Sequence, residues 1–292
     1  MTTDLDLAAL TAIDVHVHVE SDGHGRLSLD DELLAASARY FKATNDRAPT
    51  VEQIAAYYRE RQFAAVVFTV DATTATGHPG LSSEEMADRA AAHADVLIPF
   101  GSVDPLAGEA AVRRARRLIT EHGVRGFKFH PSLQHFFPDD RMAYPLYEVI
   151  AEHGLPAVFH TGQTAVGSGQ RGGGGILLKY SNPVCLDEVA ADFPDMPIIM
   201  AHPSVPWQDE AISIATHKAN VYIDLSGWSP KYFPPQLVRA ASSLLQDKVL
   251  FGTDYPLLTP ERWLRDFDLL EVKPEVRPKI LKHNAARLLG LG

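Results

Sequence analysis

Two histidines separated by one residue are the first side chains along the chain that could do chemistry. His16 and His18 belong to the segment DVHVHVE, which alternates as a β-strand does. Alternate side chains of a strand share a face, so both imidazoles would point one way and Val15, Val17 and Val19 into the opposite apolar layer. A metal ion would satisfy two buried imidazoles. Taken alone, the pair leaves a metal site and hydrogen-bonded core histidines equally open.

Three more β-rich segments end in a residue that could join this pair. They contribute His160 in FHT, His202 in AHP and Asp254 in GTDYP. Imidazoles with one carboxylate suit a borderline divalent cation. We therefore predict Zn2+ first, with Mn2+, Co2+ or Fe2+ as alternative cofactors.

The segment GFKFHP adds a lysine and another histidine. Lys128 and His130 would share the inward face, while Phe127 and Phe129 would pack outward against helices. We favour an inward lysine that pairs with a carboxylate, either of Asp254 or of a substrate. The alternative is a lysine carboxylated by CO2 that bridges two metal ions. His130 would contact substrate or cap a loop.

Eight short β-rich runs would position these side chains. They begin near residues 12, 64, 96, 124, 155, 197, 221 and 249, with helical patterns between them. Repeated strand and helix units favour parallel strands, either closed as a barrel or open as a doubly wound sheet. The reactive residues stand at strand C-terminal ends, which converge at one mouth of a barrel. We predict an α/β fold, a single (β/α)8 TIM barrel over residues 1–292.

Two segments depart from a minimal barrel. Residues 21–63 read as an insert of two helices, broken near Ala48-Pro49, that should cover the barrel mouth. The stretch from Gly162 to Gly175 is too rich in glycine for a helix or strand and is typical of a flexible active-site loop or a plain surface loop. Arg47 in the insert and Arg171 in the loop are candidate carboxylate clamps.

Aromatic residues follow the last three predicted strands. Trp228 and Tyr255, with Trp207 and Tyr232, could form the wall of a pocket for a planar unsaturated acid. Packing or interface aromatics are the equally open alternative. The run WSPKYFPP around Trp228 leaves room for a symmetric interface, so a homodimer is an expectation.

Charge and hydropathy narrow the class of partner. The net charge of −10, without a long basic run, argues against nucleic acid. No stretch of about 18 apolar residues is present and the N-terminus lacks the features of a signal peptide, so we expect a cytoplasmic protein that does not bind membranes. A small-molecule substrate is the expected partner.

The segments DVHVH, FKFHP, FHTG, AHPS and GTDYP together resemble the amidohydrolase superfamily, in the branch that includes aminocarboxymuconate semialdehyde decarboxylase and resorcylate decarboxylase. The resemblance implies that the metal ligands are His16, His18, His160 and Asp254. It also implies that His202 is an acid or base, or a ligand of a second ion. Lys128 is a departure, because it is similar to the bridging lysine of binuclear hydrolases, whereas those decarboxylases work with one ion.

Three functions follow, in this order. The first is a metal-dependent hydrolase of a small carboxylate-bearing amide, lactone or ester, in which Asp254 takes a proton from a metal-activated water and His202 stabilises the oxyanion or relays protons. The second is a non-oxidative decarboxylase of a small aromatic or unsaturated acid, using the same groups. The third is a barrel that binds metal or ligand without catalysis.

Overall fold

Eight parallel strands form the centre of the protein. The computed structural model describes residues 4–43 and 48–291. The strands are β1 (Ala12–His18), β2 (Phe63–Phe68), β3 (Leu97–Pro99), β4 (Phe127–Phe129), β5 (Ala157–His160), β6 (Ile198–Ala201), β7 (Val221–Asp224) and β8 (Val249–Leu250). All eight predicted strands are confirmed.

The strands close into a ring through two seams. Strands β1 to β3 and strands β4 to β8 pair in sequence order. Parallel bridges join Gly101 to Phe127 and Val17 to Tyr255. At the second seam, the backbone N–H of His18 donates to the carbonyl of Tyr255 at 2.8 Å. The predicted TIM barrel is confirmed.

Helices surround the ring. The described residues contain α1 (Asp31–Phe41), α2 (Val51–Glu60), α3 (Thr73–Thr76), α4 (Ser83–Ala91), α5 (Glu109–Thr120), α6 (Pro131–Gln134), α7 (Tyr144–Glu152), α8 (Cys185–Asp192), α9 (Gln208–His217), α10 (Pro235–Ala241), α11 (Pro260–Phe267) and α12 (Asn284–Leu288). Short 3-10 turns lie at Pro105–Ala107, Arg141–Ala143, Leu178–Ser181 and Pro230–Tyr232, and one π turn at Lys279–His283. No helix among them is long and apolar enough to cross a bilayer.

A β-bulge in β1 changes which side chains face the barrel interior. Asp14 pairs with Ala65 and Val17 with Val67, so β1 has one residue more than β2 between these pairs. As a result Val15 joins the apolar cluster inside the ring, whereas Val17 and Val19 pack in the cluster beneath the helices. The prediction that Val15 shares the outer layer is wrong, because strict alternation does not hold across a bulge.

The outward face of β4 packs as expected. Phe127 and Phe129 lie in the cluster between strands and helices, and the Phe129 ring meets Tyr147 of α7 at 5.9 Å. Lys128 therefore points inward and is buried. Alternation along β4 thus delivers an amine to the barrel interior.

The insert at residues 21–63 contains two helices with different positions. α1 lies over the barrel mouth, whereas α2 packs on the outer wall through Val51, Ile54 and Tyr58. α2 starts at a capping box, in which the Thr50 hydroxyl accepts from the Gln53 N–H and the Gln53 side chain accepts from the Thr50 N–H. Only the first half of the insert covers the mouth, and Arg47 lies outside the described residues.

Candidate metal centre

Three potential ligand atoms from β1 and the end of β8 meet at the mouth of the barrel. His16 Nε2 lies 3.3 Å from His18 Nε2 and 3.3 Å from Asp254 Oδ1, and His18 Nε2 lies 3.1 Å from the same oxygen. His16 is fully buried and Asp254 nearly so. The bulge permits this geometry, since His16 and His18 both face inward above Val15.

His160, at the end of β5, supplies a further nitrogen. Its Nδ1 lies 2.9 Å from His202 Nε2. Its Nε2 is buried and has no hydrogen-bond partner among the described residues. A buried nitrogen without a partner is costly, and a bound cation would remove that cost.

His202 enters the site through an unusual backbone. Its neighbour Ala201 belongs to the interior cluster, so continued alternation would direct His202 outward. His202 instead adopts φ 71°, in the left-handed region, and its ring nitrogen comes within 4.8 Å of ligand atoms of His16 and Asp254. Asp254 also has φ 71°. Non-glycine residues rarely adopt this conformation, and such residues concentrate at functional sites.

Lys128 lies beside the histidines rather than paired with Asp254. Its Nζ is 3.1 Å from His16 Nε2, while the ion pairs of Asp254 among the described residues go to His16 and His18. Burial lowers the pKa of Lys128 to about 8. The amine therefore stands at the bottom of the mouth, with no carboxylate of the described chain as its ion-pair partner.

Burial keeps the imidazoles neutral. It lowers the pKa of His16 to about 3 and the pKa of His160 well below its usual range. Burial alone would raise the pKa of Asp254, but its hydrogen bond to His18 and the nearby His16 hold that pKa below its usual range. Neutral imidazoles and an ionised carboxylate are the forms that ligate Zn2+ or a similar cation. The donor set fits a divalent metal.

His130 does both things expected of it. Its Nδ1 accepts from the Leu133 N–H at 3.2 Å and so caps α6. Its ring stacks on His160 at 3.9 Å between centroids and lines the cavity. A capping role fixes the ring, and the stacking extends the polar surface around His160.

A cavity of about 930 Å³ lies above these residues. We call its base the floor, made of His16, His18, Lys128, His160, His202 and Asp254. The apolar side chains around the cavity are Leu29, Leu34, Phe41, Val70, Leu133, Val166, Trp228 and Leu257. We call α1 with residues 162–175 the roof, because both segments contribute to its upper side. The cavity thus combines a polar floor with largely apolar walls.

The remaining predicted substrate contacts separate into two groups. Trp228 lines the cavity. Arg171 is exposed and Tyr255 is buried outside the cavity, where its ring stacks on Tyr57 at 4.8 Å. In the glycine stretch, Gly172 to Gly174 have φ from 61° to 66°, which excludes a regular helix as predicted.

Sequence reasoning missed the end of β7. Asp224 Oδ2 lies 2.9 Å from His16 Nδ1, and the Ser226 carbonyl oxygen lies 3.1 Å from His202 Nδ1. Both residues are fully buried. The available signal was the same two-residue spacing that singled out His16 and His18, in a strand flanked by β6 and β8.

Asp14 was also missed. Its carboxylate accepts from the Tyr58 hydroxyl at 2.7 Å and from the Thr253 N–H at 3.0 Å. It also accepts from the His16 N–H at 3.1 Å. Asp14 therefore ties β1 to α2 and to the residue before Asp254, which fixes the spacing between His16 and Asp254.

The family model described as amidohydrolase matches residues 13–291. The chain belongs to the amidohydrolase family. The resemblance seen in the five sequence segments is thereby confirmed, as is the prediction of an enzyme. No curated protein sequence matches the chain.

Solved structures share the fold of this amidohydrolase. An uncharacterised TIM-barrel protein from Bordetella bronchiseptica is 25% identical, with a TM-score of 0.79 over 96% of this chain and 99% of that chain. A dihydroxybenzoic acid decarboxylase from Polaromonas, with bound manganese and the inhibitor 2-nitroresorcinol, is 17% identical, with a TM-score of 0.67 over 97% of each chain. A probable 2-pyrone-4,6-dicarboxylic acid hydrolase from Acinetobacter baumannii, with citric acid bound, is 16% identical, with a TM-score of 0.65 over 96% of this chain and all (100%) of that chain.

Proposed function

We propose that this amidohydrolase is a metal-dependent decarboxylase of a small, planar carboxylic acid with a largely apolar body. The position of Lys128 carries the proposal. Among the described residues that line the cavity, Lys128 is the one lysine or arginine, and it lies on the floor within 3.1 Å of His16. The anionic group of a substrate is drawn to the reacting end of the cavity, so the carboxylate itself is the group that reacts.

The walls orient the rest of the substrate. Trp228 and Phe41 offer flat apolar surfaces, and Leu29 and Leu257 lie around the same space. A planar ring or conjugated chain would stack there while its carboxylate meets Lys128. Apolar walls also keep water from the carbon that loses CO2.

His16, His18, His160 and Asp254 would hold the metal, with Zn2+ as our first choice and Mn2+ next. When bound, the metal supplies a Lewis acid that stabilises negative charge developing on the substrate. Two metals bridged by a carboxylated Lys128 are the weaker alternative, because the amine already has a role toward a substrate carboxylate.

Asp254 would deliver the proton. The bond between the carboxylate carbon and the substrate body breaks, CO2 leaves without the bonding electron pair, and that pair takes up a proton at the same carbon. Asp254 Oδ1 faces His16 and His18, whereas Oδ2 lies beside Gly227. Since the site holds the pKa of Asp254 below its usual range, its protonated form is a strong acid that, once charged from solvent, transfers its proton readily. His202 would orient His160 rather than act as the acid.

Hydrolysis of a small carboxylate-bearing amide, lactone or ester is the second candidate. The observation in its favour is the ionised state of Asp254 beside the ligand histidines, which suits a base that accepts a proton from water and passes it to the leaving group. The remote carboxylate of such a substrate would need a cation away from the floor, and the described lining residues offer none.

Product analysis separates the two reactions. The protein is treated with a chelator, reloaded with Zn2+ or Mn2+, and assayed for CO2 release from aromatic and unsaturated acids and for ring opening of lactones and cyclic amides. We expect CO2 release only from metal-loaded protein. Hydrolytic product without CO2 would reject the decarboxylase, and identical turnover by stripped protein would reject the metal site.

Lys128→Met tests the observation that carries the proposal. Loss of a charge-assisted contact should raise KM for the acid roughly 10- to 100-fold. Lys179→Met, which alters an exposed lysine outside the cavity, is the control. An unchanged KM in Lys128→Met would show that the carboxylate binds elsewhere.

A further inference from the structure

The end of β7 contributes no candidate ligand, yet it contacts the imidazoles of two other strands. Asp224 and Ser226 both face the barrel interior and are fully buried. The Ser226 hydroxyl oxygen lies 3.0 Å from His16 Nδ1 and 2.9 Å from His202 Nδ1. One short segment therefore touches the inner nitrogen of both rings.

The carboxylate of Asp224 determines which nitrogen of His16 carries the proton. Asp224 Oδ2 lies 2.9 Å from His16 Nδ1, and Oδ1 accepts from the Ser226 N–H at 2.8 Å. An ionised carboxylate only accepts hydrogen bonds, so His16 Nδ1 donates. A neutral His16 then has its electron pair on Nε2, the atom that faces His18 and Asp254.

The backbone of Ser226 acts in the same way on two more rings. Its carbonyl oxygen lies 3.1 Å from His202 Nδ1, and a carbonyl only accepts, so that nitrogen donates. His202 Nε2 then carries an electron pair and accepts from His160 Nδ1 at 2.9 Å. This leaves the electron pair of His160 on Nε2, the buried nitrogen without a partner among the described residues.

We propose that Asp224 and Ser226 set the tautomers of His16, His202 and His160, so that the ligand nitrogens present electron pairs rather than protons to the metal. The inference rests on the proposed metal site. Asp224 is a positioning residue in this scheme, because it acts through His16 and touches neither metal nor substrate. The general effect of removing such a partner of a ligand histidine is a 10- to 100-fold loss of metal affinity.

The tautomers are measurable in the metal-free wild-type protein. Histidine labelled with 15N gives two-bond 1H–15N correlation patterns that distinguish a proton on Nδ1 from one on Nε2, and single His→Gln variants assign the signals. We expect Nδ1–H in His16, His160 and His202. A proton on Nε2 of His16 or His160 would overturn the proposal, and this result depends neither on turnover nor on any variant of Asp224.

Asp224→Asn tests the effect on metal binding. The amide has the shape of the carboxylate but donates as well as accepts, so it no longer enforces Nδ1–H on His16. In competition with a chromophoric chelator we expect Zn2+ affinity to fall roughly 10- to 100-fold, with a mixed His16 tautomer and an unchanged far-UV circular dichroism spectrum.

Asp266→Asn is the matched control, because Asp266 is a buried carboxylate on α11 that bonds the Ser229 hydroxyl and does not line the cavity. It should bind Zn2+ within about twofold of wild type, since it leaves the second-shell partners of the ligand histidines intact. Wild-type affinity in Asp224→Asn, or an equal loss in both variants, would overturn the role of Asp224. Should Asp224→Asn fail to fold, the wild-type tautomers decide the question. Loss of CO2 release with intact metal binding would count against the decarboxylase alone.

Discussion

The floor and the roof of the cavity are built in opposite ways. Floor side chains such as His16 and Lys128 are buried on strand ends and joined by hydrogen bonds that cross from strand to strand. The roof consists of α1 and residues 162–175, which contact each other through a few partly exposed polar side chains. The difference indicates that the floor sets the reaction, whereas the roof sets which molecules reach it.

Asp254→Asn should have the largest effect, because it removes both a metal ligand and the proposed proton donor. We expect kcat to fall by at least about 1,000-fold. Turnover of metal-loaded protein provides the measurement, and Asp268→Asn, at an exposed ion pair with Arg277, is the control. Residual activity above a few per cent would show that the floor does not act through Asp254.

Gly227→Ala should come next, because the floor has no room for one more carbon. Gly227 has φ 70°, and a Cβ there would lie 2.6 Å from His202 Nδ1. Gly290, at φ 61° with open space around it, isolates the backbone cost of about 1–2 kcal/mol. We expect more than about a tenfold loss of kcat in Gly227→Ala and near wild-type activity in Gly290→Ala. Equal losses would mean that backbone strain, not the position of His202, is responsible.

Tyr40→Phe tests the roof. It removes the hydroxyl that accepts from Gln163 Nε2 at 3.1 Å and so loosens α1 from the glycine-rich stretch. One hydrogen bond corresponds to roughly a 2- to 10-fold change in KM, with kcat within about twofold. Steady-state kinetics beside Tyr232→Phe, which alters an exposed tyrosine, gives the comparison. A large fall in kcat with KM unchanged would break the division between floor and roof.

Arg171→Ala should have the smallest effect. Arg171 belongs to the roof segment but is exposed and outside the cavity, so we expect KM for the acid to stay within about twofold. Substrate titration at one ionic strength is sufficient. A rise above about fivefold would show that residues 162–175 close further over bound substrate and bring this arginine to it.

The sequence predicted the barrel and most of the floor because both depend on repetition. Eight strand and helix units and a polar residue at several strand ends leave few alternative folds. His16, His18, His160 and Asp254 follow from that rule without knowledge of any contact. Their meeting within 3.3 Å is what convergence at a barrel mouth requires.

Other features depend on backbone geometry that residue types do not encode. Nothing in the letters AHPS specifies φ 71° at His202, which alternation alone would direct away from the site. The roles of Trp228 and Arg171, similar from sequence, differ because the roof chain passes one through the cavity wall and the other outside it. Asp224 was within reach, since its spacing from Ser226 repeats the rule applied to β1.

The extra residue in β1 gives one strand two phases. Below the bulge the odd-numbered Ile13 and Val15 fill the barrel centre, and above it the even-numbered His16 and His18 face the mouth. A search for related sites that assumes a single phase along each strand would read Asp14 as a third inward ligand, although its carboxylate accepts from Tyr58 on the outer side. Transfer of this histidine pair to another barrel therefore needs the inserted residue as well as the histidines, since that residue separates the packing half of the strand from the reactive half.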